Sequence, residues 1–272
     1  MIWGLAFVAQ SVSTGHVGPW TFNAIRFFIG FFVLLPLAMK RKDKIKQSLK
    51  AAFLCALALT LASVAQQAGL GSVPAGKAGF ITSLYMVLVP ILSVIRGSKV
   101  TPKNWICVLL ALFGLFLLCG STQGGFGTGE LLILVCAFFF AAQIILVDYF
   151  QDADTVALSA FQFLFAGLLS LIPTLLFEHP DFTAIGSTWI PILYTGIFST
   201  GIAYTLQAVG ERMVGPSVAV VPLSMESVFS ALFGFLILGQ QLRPLEILGC
   251  AIVFSAVLLD QISLEGHTKK AQ

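Results

Sequence analysis

The stretch VVPLSMESVFSALFGFLILG, residues 220–239, is made of apolar and small residues except for Glu226 near its middle. An ionised carboxylate at mid-bilayer costs about 2.5–3.5 kcal/mol on insertion scales. Glu226 therefore faces a bundle interior or water, where it can exchange a proton or hold a polar solute. The other reading is a protonated carboxyl bonded to a neighbouring helix. Ser230 and Gly234 continue its face with small side chains, which suits a cavity wall or close packing. Arg26 lies inside another apolar run, 19–39, about 10 Å from its outer end. A structural or ion-pairing role is expected for it, with an anionic solute as the alternative.

Uncharged polar residues recur on helical faces. Thr60, Ser63 and Gln67 follow i, i+3, i+7 spacing, and Thr200, Tyr204 and Gln207 form a comparable stripe further on. Both suit a polar lining or hydrogen bonds between helices. Tyr85, which offers an aromatic face and a hydroxyl, and Gln10 and Gln143 complete the candidate solute-binding set. Trp3 and Phe140 are expected to face lipid or to pack. Catalysis has little to stand on: there is no H-E-x-x-H, no paired intramembrane carboxylates and no Ser/His constellation, and His16, His179 and His267 fall in connections or the tail. No metal or cofactor is expected. Cys55, Cys107, Cys119, Cys136 and Cys250 lie in apolar runs without close-spaced pairs and read as packing residues.

The elements that position these residues are set by the solvent. The chain of 272 residues is 58% hydrophobic and 10% charged, with a mean hydropathy of +0.97. Ten apolar runs, at 1–14, 19–39, 49–70, 74–95, 104–121, 128–148, 156–177, 187–209, 215–238 and 245–262, predict an all-α integral membrane protein with ten transmembrane helices. The run at 1–14 spans only about 21 Å of helix, so a native start one to two turns earlier is expected. With the N-terminus inside, the inner connections and tail carry twelve Lys and Arg residues, and the outer ones only Lys77 and Arg243. The cluster KRKDKIKQSLK is then a short inner loop beside anionic lipid, and nucleic acid is not an expected partner.

The chain also aligns with itself at an offset of 136–142 residues. NAIRF (23–27) meets SAFQF (159–163), Thr60 and Gln67 meet Thr200 and Gln207, Tyr85 meets Glu226, and KVTP meets QLRP. Repeats over 1–123 and 124–264, followed by a cytoplasmic tail at 265–272, each hold five spans. An odd number inverts the second copy, giving two inverted five-helix repeats with Glu226 and Tyr85 near the midplane between them.

The paired NAIRF, GKAGFITSLYMVLVPILS, PSVAVVPLSMESVFSALFGFLILG and LEILGCAIVFSAVLLDQ together resemble the EamA family of the drug/metabolite transporter superfamily over nearly the whole chain. The resemblance implies both termini in the cytoplasm, a cavity between the halves and export of metabolites or drugs. It maps the family's mid-helix glutamate onto Glu226 and its helix-two arginine onto Arg26. Two departures stand out: Gln240 and Ser98 replace an expected glutamate, and the inner connection DYFQDADT is acidic where basic residues are common. The expected function is secondary transport of a small organic solute across a bacterial-type inner membrane by alternating access, with no nucleotide motif to power it. The alternative is a flippase or passive facilitator for an amphipathic or lipid-linked head group. Membrane lipid is the expected surrounding, and a homodimer is allowed.

Overall fold

The structure is a computed structural model and describes residues 1–119, 127–239 and 243–268. Gln240, the expected repeat boundary at 123/124 and tail residues 269–272 lie outside the described residues. The elements are α1 (Ile2–Ser13), α2 (Pro19–Met39), α3 (Lys42–Gly69), α4 (Ala75–Ser83), α5 (Tyr85–Ile95), α6 (Pro102–Cys119), α7 (Thr128–Tyr149), α8 (Thr155–Phe177), α9 (Phe182–Ser187), α10 (Trp189–Tyr194), a π-helical segment (Thr195–Tyr204), α11 (Thr205–Val214), α12 (Pro216–Leu223), α13 (Met225–Leu238) and α14 (Pro244–Thr268).

No strand occurs among the described residues, as expected where lipid cannot satisfy free backbone groups. Among the described residues, seven helices are long and apolar enough to cross a bilayer: Pro19–Met39, Lys42–Gly69, Ala75–Ile95, Thr128–Tyr149, Thr155–Phe177, Trp189–Val214 and Pro216–Leu238. Ile2–Ser13 and Pro102–Leu117 are apolar but shorter. Large apolar side chains such as Ile106, Leu109, Phe113 and Phe116 on α6 are exposed, as a lipid-facing surface requires.

The helix boundaries follow local rules. Pro19 and Pro216 sit in first turns, where the missing N–H has no intrahelical partner to lose. Asp154 caps α8 by accepting from the N–H groups of Val156 and Ala157. Gly215, at φ +83°, makes the turn between α11 and α12 that a side chain would resist. The expected basic loop KRKDKIKQSLK is corrected: α3 begins at Lys42, so most of that cluster is helical.

α2 packs along α8, and α6 along α14. α1 lies against α13, while α7 lies against α4 and α5. α3 contacts α7 and α8, while the π-helical segment contacts α1 and α2. Small residues permit these approaches. A Cβ on Gly114 of α6 would stand 2.8 Å from the Gly249 carbonyl oxygen of α14, and one on Gly4 would collide with Phe229 of α13.

The acidic connection between α7 and α8 has a structural partner for two of its carboxylates. Asp148 pairs with Arg96 at 3.1 Å and Asp154 with Arg41 at 2.7 Å, so the acids neutralise basic ends of other helices. Arg212 donates to the backbone carbonyls of Ala153 and Phe150 in the same connection.

Candidate functional site

Two mid-span breaks build the centre. The rod Ala75–Ile95 tightens at Leu84 and the rod Pro216–Leu238 at Ser224, each through a backbone N–H that bonds three residues back. Pro90 and Pro222 lie inside these rods and withhold a helical donor near each break. The breaks face each other across α4 and α13. Ser83 Oγ donates to Glu226 Oε1 at 3.4 Å and lies 2.5 Å from Ser227 Oγ. Ser227 and Ser230 donate to the carbonyls of Gly79 and Ala75. The small residues following Glu226 thus close the α4–α13 contact and leave the carboxylate at its edge.

Beside this contact lies a narrow, partly open cavity of about 30 Å³. Trp3, Phe7 and Gln10 of α1, Arg26 of α2, Gln66 of α3, Thr82, Tyr85, Phe140 and Ile144 form much of its wall. Ser199, Tyr204, Gln207 and Glu226 complete it. Its aromatic side is continuous, with the Tyr204 ring centroid 5.0 Å from that of Trp3 and 6.3 Å from that of Phe140. Trp3, Gln207 and Glu226 also line a wider cleft between α11 and α12.

Several buried polar groups around the cavity have no partner among the described residues. They include the Tyr85 hydroxyl, the Trp3 Nε1 and the Nε and Nη2 of Arg26. Arg26 is 1% exposed, donates through Nη1 to Gln10 Oε1 at 3.2 Å and forms no salt bridge among the described residues. Its guanidinium stands 5.7 Å from the Phe22 ring centroid and 5.0 Å from that of Phe27. Such contacts contribute about 0.5–2 kcal/mol each, against a burial penalty of several kcal/mol for an ion. The charge is left undercompensated. The expected ion pairing of Arg26 therefore has no protein partner in the described structure.

Of the candidate residues, Glu226, Tyr85, Tyr204, Gln207 and Gln10 converge on the cavity, and Gln67, Thr60 and Gln143 do not. Gln67 donates to the Gln10 carbonyl and ties α3 to α1, so its neighbour Gln66 reaches the cavity instead. Thr60 is buried on α3 away from the cavity, and Gln143 bonds Gln162 between α7 and α8. In the second stripe Ser199 lines the cavity while Thr200 packs against Gly30. The π-helical turn is wider than an α turn, so spacing counted at 3.6 residues selects the wrong neighbour.

Trp3 and Phe140 face the cavity rather than only packing or meeting lipid. Glu211 lies just past the apolar run at 187–209, so run length alone does not mark it. The helix instead continues to Val214, Glu211 is 1% exposed, and it accepts from Gln207 Nε2.

Apolar helices packed around a narrow cavity lined by polar and aromatic side chains define a multi-pass membrane protein. The chain belongs to the EamA-like transporter family, whose model matches residues 1–120 and 127–259. It is 33% identical over 260 residues to an uncharacterized transporter of Archaeoglobus fulgidus, covering 95% of this chain and 82% of that one. It is 27% identical over 146 residues to the aromatic amino acid exporter YddG of Ancylobacter novellus, covering 51% of this chain and 50% of that one. A crystal structure of a protein 22% identical in sequence superposes with a TM-score of 0.79 over 96% of this chain and 95% of that chain, and so shares the fold. Family and relatives are transporters, and the chain is no enzyme.

Proposed function

We propose that this chain is a secondary transporter that exports small organic solutes by alternating access, with solute held in the cavity bounded by Glu226, Tyr85, Arg26 and the Trp3–Tyr204–Phe140 aromatic wall. The observation that carries the reading is the set of buried, unpartnered donors around this cavity, because such groups cost free energy unless a ligand or water pairs with them. Two inverted five-helix repeats supply the motion. That reading is supported by the two family matches in tandem and by the pairing of helices, in which α1 against α13 has its counterpart in α7 against α4 and α5.

In this reading both termini lie in the cytoplasm of a bacterial-type inner membrane, supported by the excess of Lys and Arg in the connections on one side. Glu226 couples transport to protons: a neutral carboxyl crosses the low-dielectric stage of the cycle at lower cost than a carboxylate. An apolar solute body fits the aromatic wall, in keeping with the aromatic amino acid exporter among the relatives.

Thermal unfolding of the purified protein against a metabolite and drug panel tests solute binding, because a ligand bound only by the folded state raises the midpoint. The expected result is a compound that stabilises the native chain and not Glu226→Gln. Equal stabilisation of both proteins would remove Glu226 from the site. Efflux from vesicles with set internal and external pH tests coupling, and a rate indifferent to the proton gradient would refute it.

A further inference from the structure

We infer that the start of α3 forms a binding site for an anionic phospholipid, with its head group held by Lys42, Lys46 and Lys50 and its acyl chains lying along Phe53, Leu57 and Leu61. The inference goes beyond the transporter reading and stands whichever solute the cavity takes.

The spacing comes first. Lys42, Lys46 and Lys50 follow one another at i+4, and Phe53, Leu57 and Leu61 continue the series at i+3 and i+4. All six lie within α3, and at 3.6 residues per turn they fall inside an arc of about 100° on one side of the helix. The three lysines are exposed and form no salt bridge among the described residues. Phe53, Leu57 and Leu61 are exposed as well, and Phe165 of α8 meets the Phe53 ring at a centroid distance of 5.6 Å, so a second helix flanks the stripe.

The opposite face fixes the rotation of the helix. Ser48, Ala51, Ala52 and Cys55 are buried, and Ser48 Oγ accepts from the Asp154 N–H at 3.1 Å, which ties α3 to the start of α8. The lysine face is thereby held outward.

Depth places the charges. The part of α3 after Lys50, residues 51–69, covers about 28 Å, close to the hydrocarbon thickness of about 30 Å. Lys50 therefore stands at the hydrocarbon boundary, with Lys46 and Lys42 about 6 and 12 Å further out, level with phospholipid head groups. Asp43 lies at the edge of the same arc, so the face keeps a net positive charge. A head group with net negative charge is attracted to it, and a zwitterionic one gains little. Free phosphate would leave the apolar stripe empty, whereas a lipid fits both halves of the face.

The test is native mass spectrometry of the purified full chain titrated with phosphatidylglycerol and with phosphatidylcholine of identical acyl chains. Phosphatidylglycerol should bind the native protein at least about fivefold more tightly. Joint replacement by Lys42→Gln, Lys46→Gln and Lys50→Gln should cut that preference below about twofold. Lys99→Gln with Lys103→Gln, exposed lysines near the start of α6, should leave it intact, and Asp43→Asn should enlarge it. Glycerol phosphate should not displace the lipid. Equal binding of the two lipids to the native protein overturns the inference, as does a preference that survives the triple replacement or disappears equally in the Lys99/Lys103 variant. Displacement by glycerol phosphate overturns it too, since the ligand would then be a free phosphate. If the triple variant does not fold, the lipid ratio on the native protein and its change in Asp43→Asn decide.

Discussion

Tyr85 and Glu226 hold aligned positions in the two halves, and both line the cavity. The tyrosine hydroxyl has no hydrogen-bond partner among the described residues. Removing it leaves no protein group newly unsatisfied, so Tyr85→Phe should change unfolding free energy by less than about 1 kcal/mol. Solute affinity should fall nonetheless, and titration calorimetry beside thermal unfolding separates the two effects. Glu226 was legible in the sequence because a carboxylate in an apolar run is conspicuous. Trp3 and Phe140 were not, because aromatic residues populate lipid-facing, packed and cavity-lining faces alike. Arg26 was visible as a charge, but its lack of a carboxylate partner emerges only once α1, α2 and α3 are packed.

At the scale of elements, the α4–α13 contact depends on side chains small enough to sit against backbone. Ser227 Oγ contacts Ser83 Oγ and donates to the Gly79 carbonyl, so Ser227→Val should strand buried polar groups and crowd the contact. A loss of about 1–3 kcal/mol in unfolding free energy is expected by chemical denaturation. Asp154, at the start of α8, gives a pH-dependent case. Burial pushes its carboxyl up, but the amide of Ala157, the Arg41 guanidinium and the amide of Val156 outweigh burial and hold it below the usual range. A depressed folded value stabilises the protein above the unfolded aspartate range, near about pH 4, and that contribution disappears as pH falls through the folded value. Asp154→Ala should therefore lose about 1 kcal/mol at neutral pH. It should also lack this part of the acid sensitivity in thermal unfolding scans. Most element positions were readable from apolar run length. The π-helical turn was not, since no residue type in TGIFSTGIAY marks a change from α to π pitch.

Across the whole molecule, α2 packs along α8 and α6 along α14, contacts in keeping with the proposed carrier of two related halves. Orientation can be checked by single cysteines at exposed positions. Lys46→Cys, in the basic start of α3, should react with an impermeant thiol reagent only from inside, and Asp181→Cys, before α9, only from outside. The native thiols of Cys55, Cys107 and Cys136 are buried, and the partly exposed Cys250 is replaced by Ala in the parent chain to remove its background. The ordered offset between the halves was readable in the sequence, whereas the cavity wall was not, because it draws side chains from helices far apart in the chain. Counterflow in proteoliposomes tests the central claim most directly: vesicles loaded with an unlabelled solute found by the thermal-unfolding panel are diluted into a trace of the same solute carrying label. The account predicts transient accumulation of label that Arg26→Gln and Glu226→Gln each reduce by at least about tenfold, whereas uptake no greater than in protein-free liposomes would contradict it.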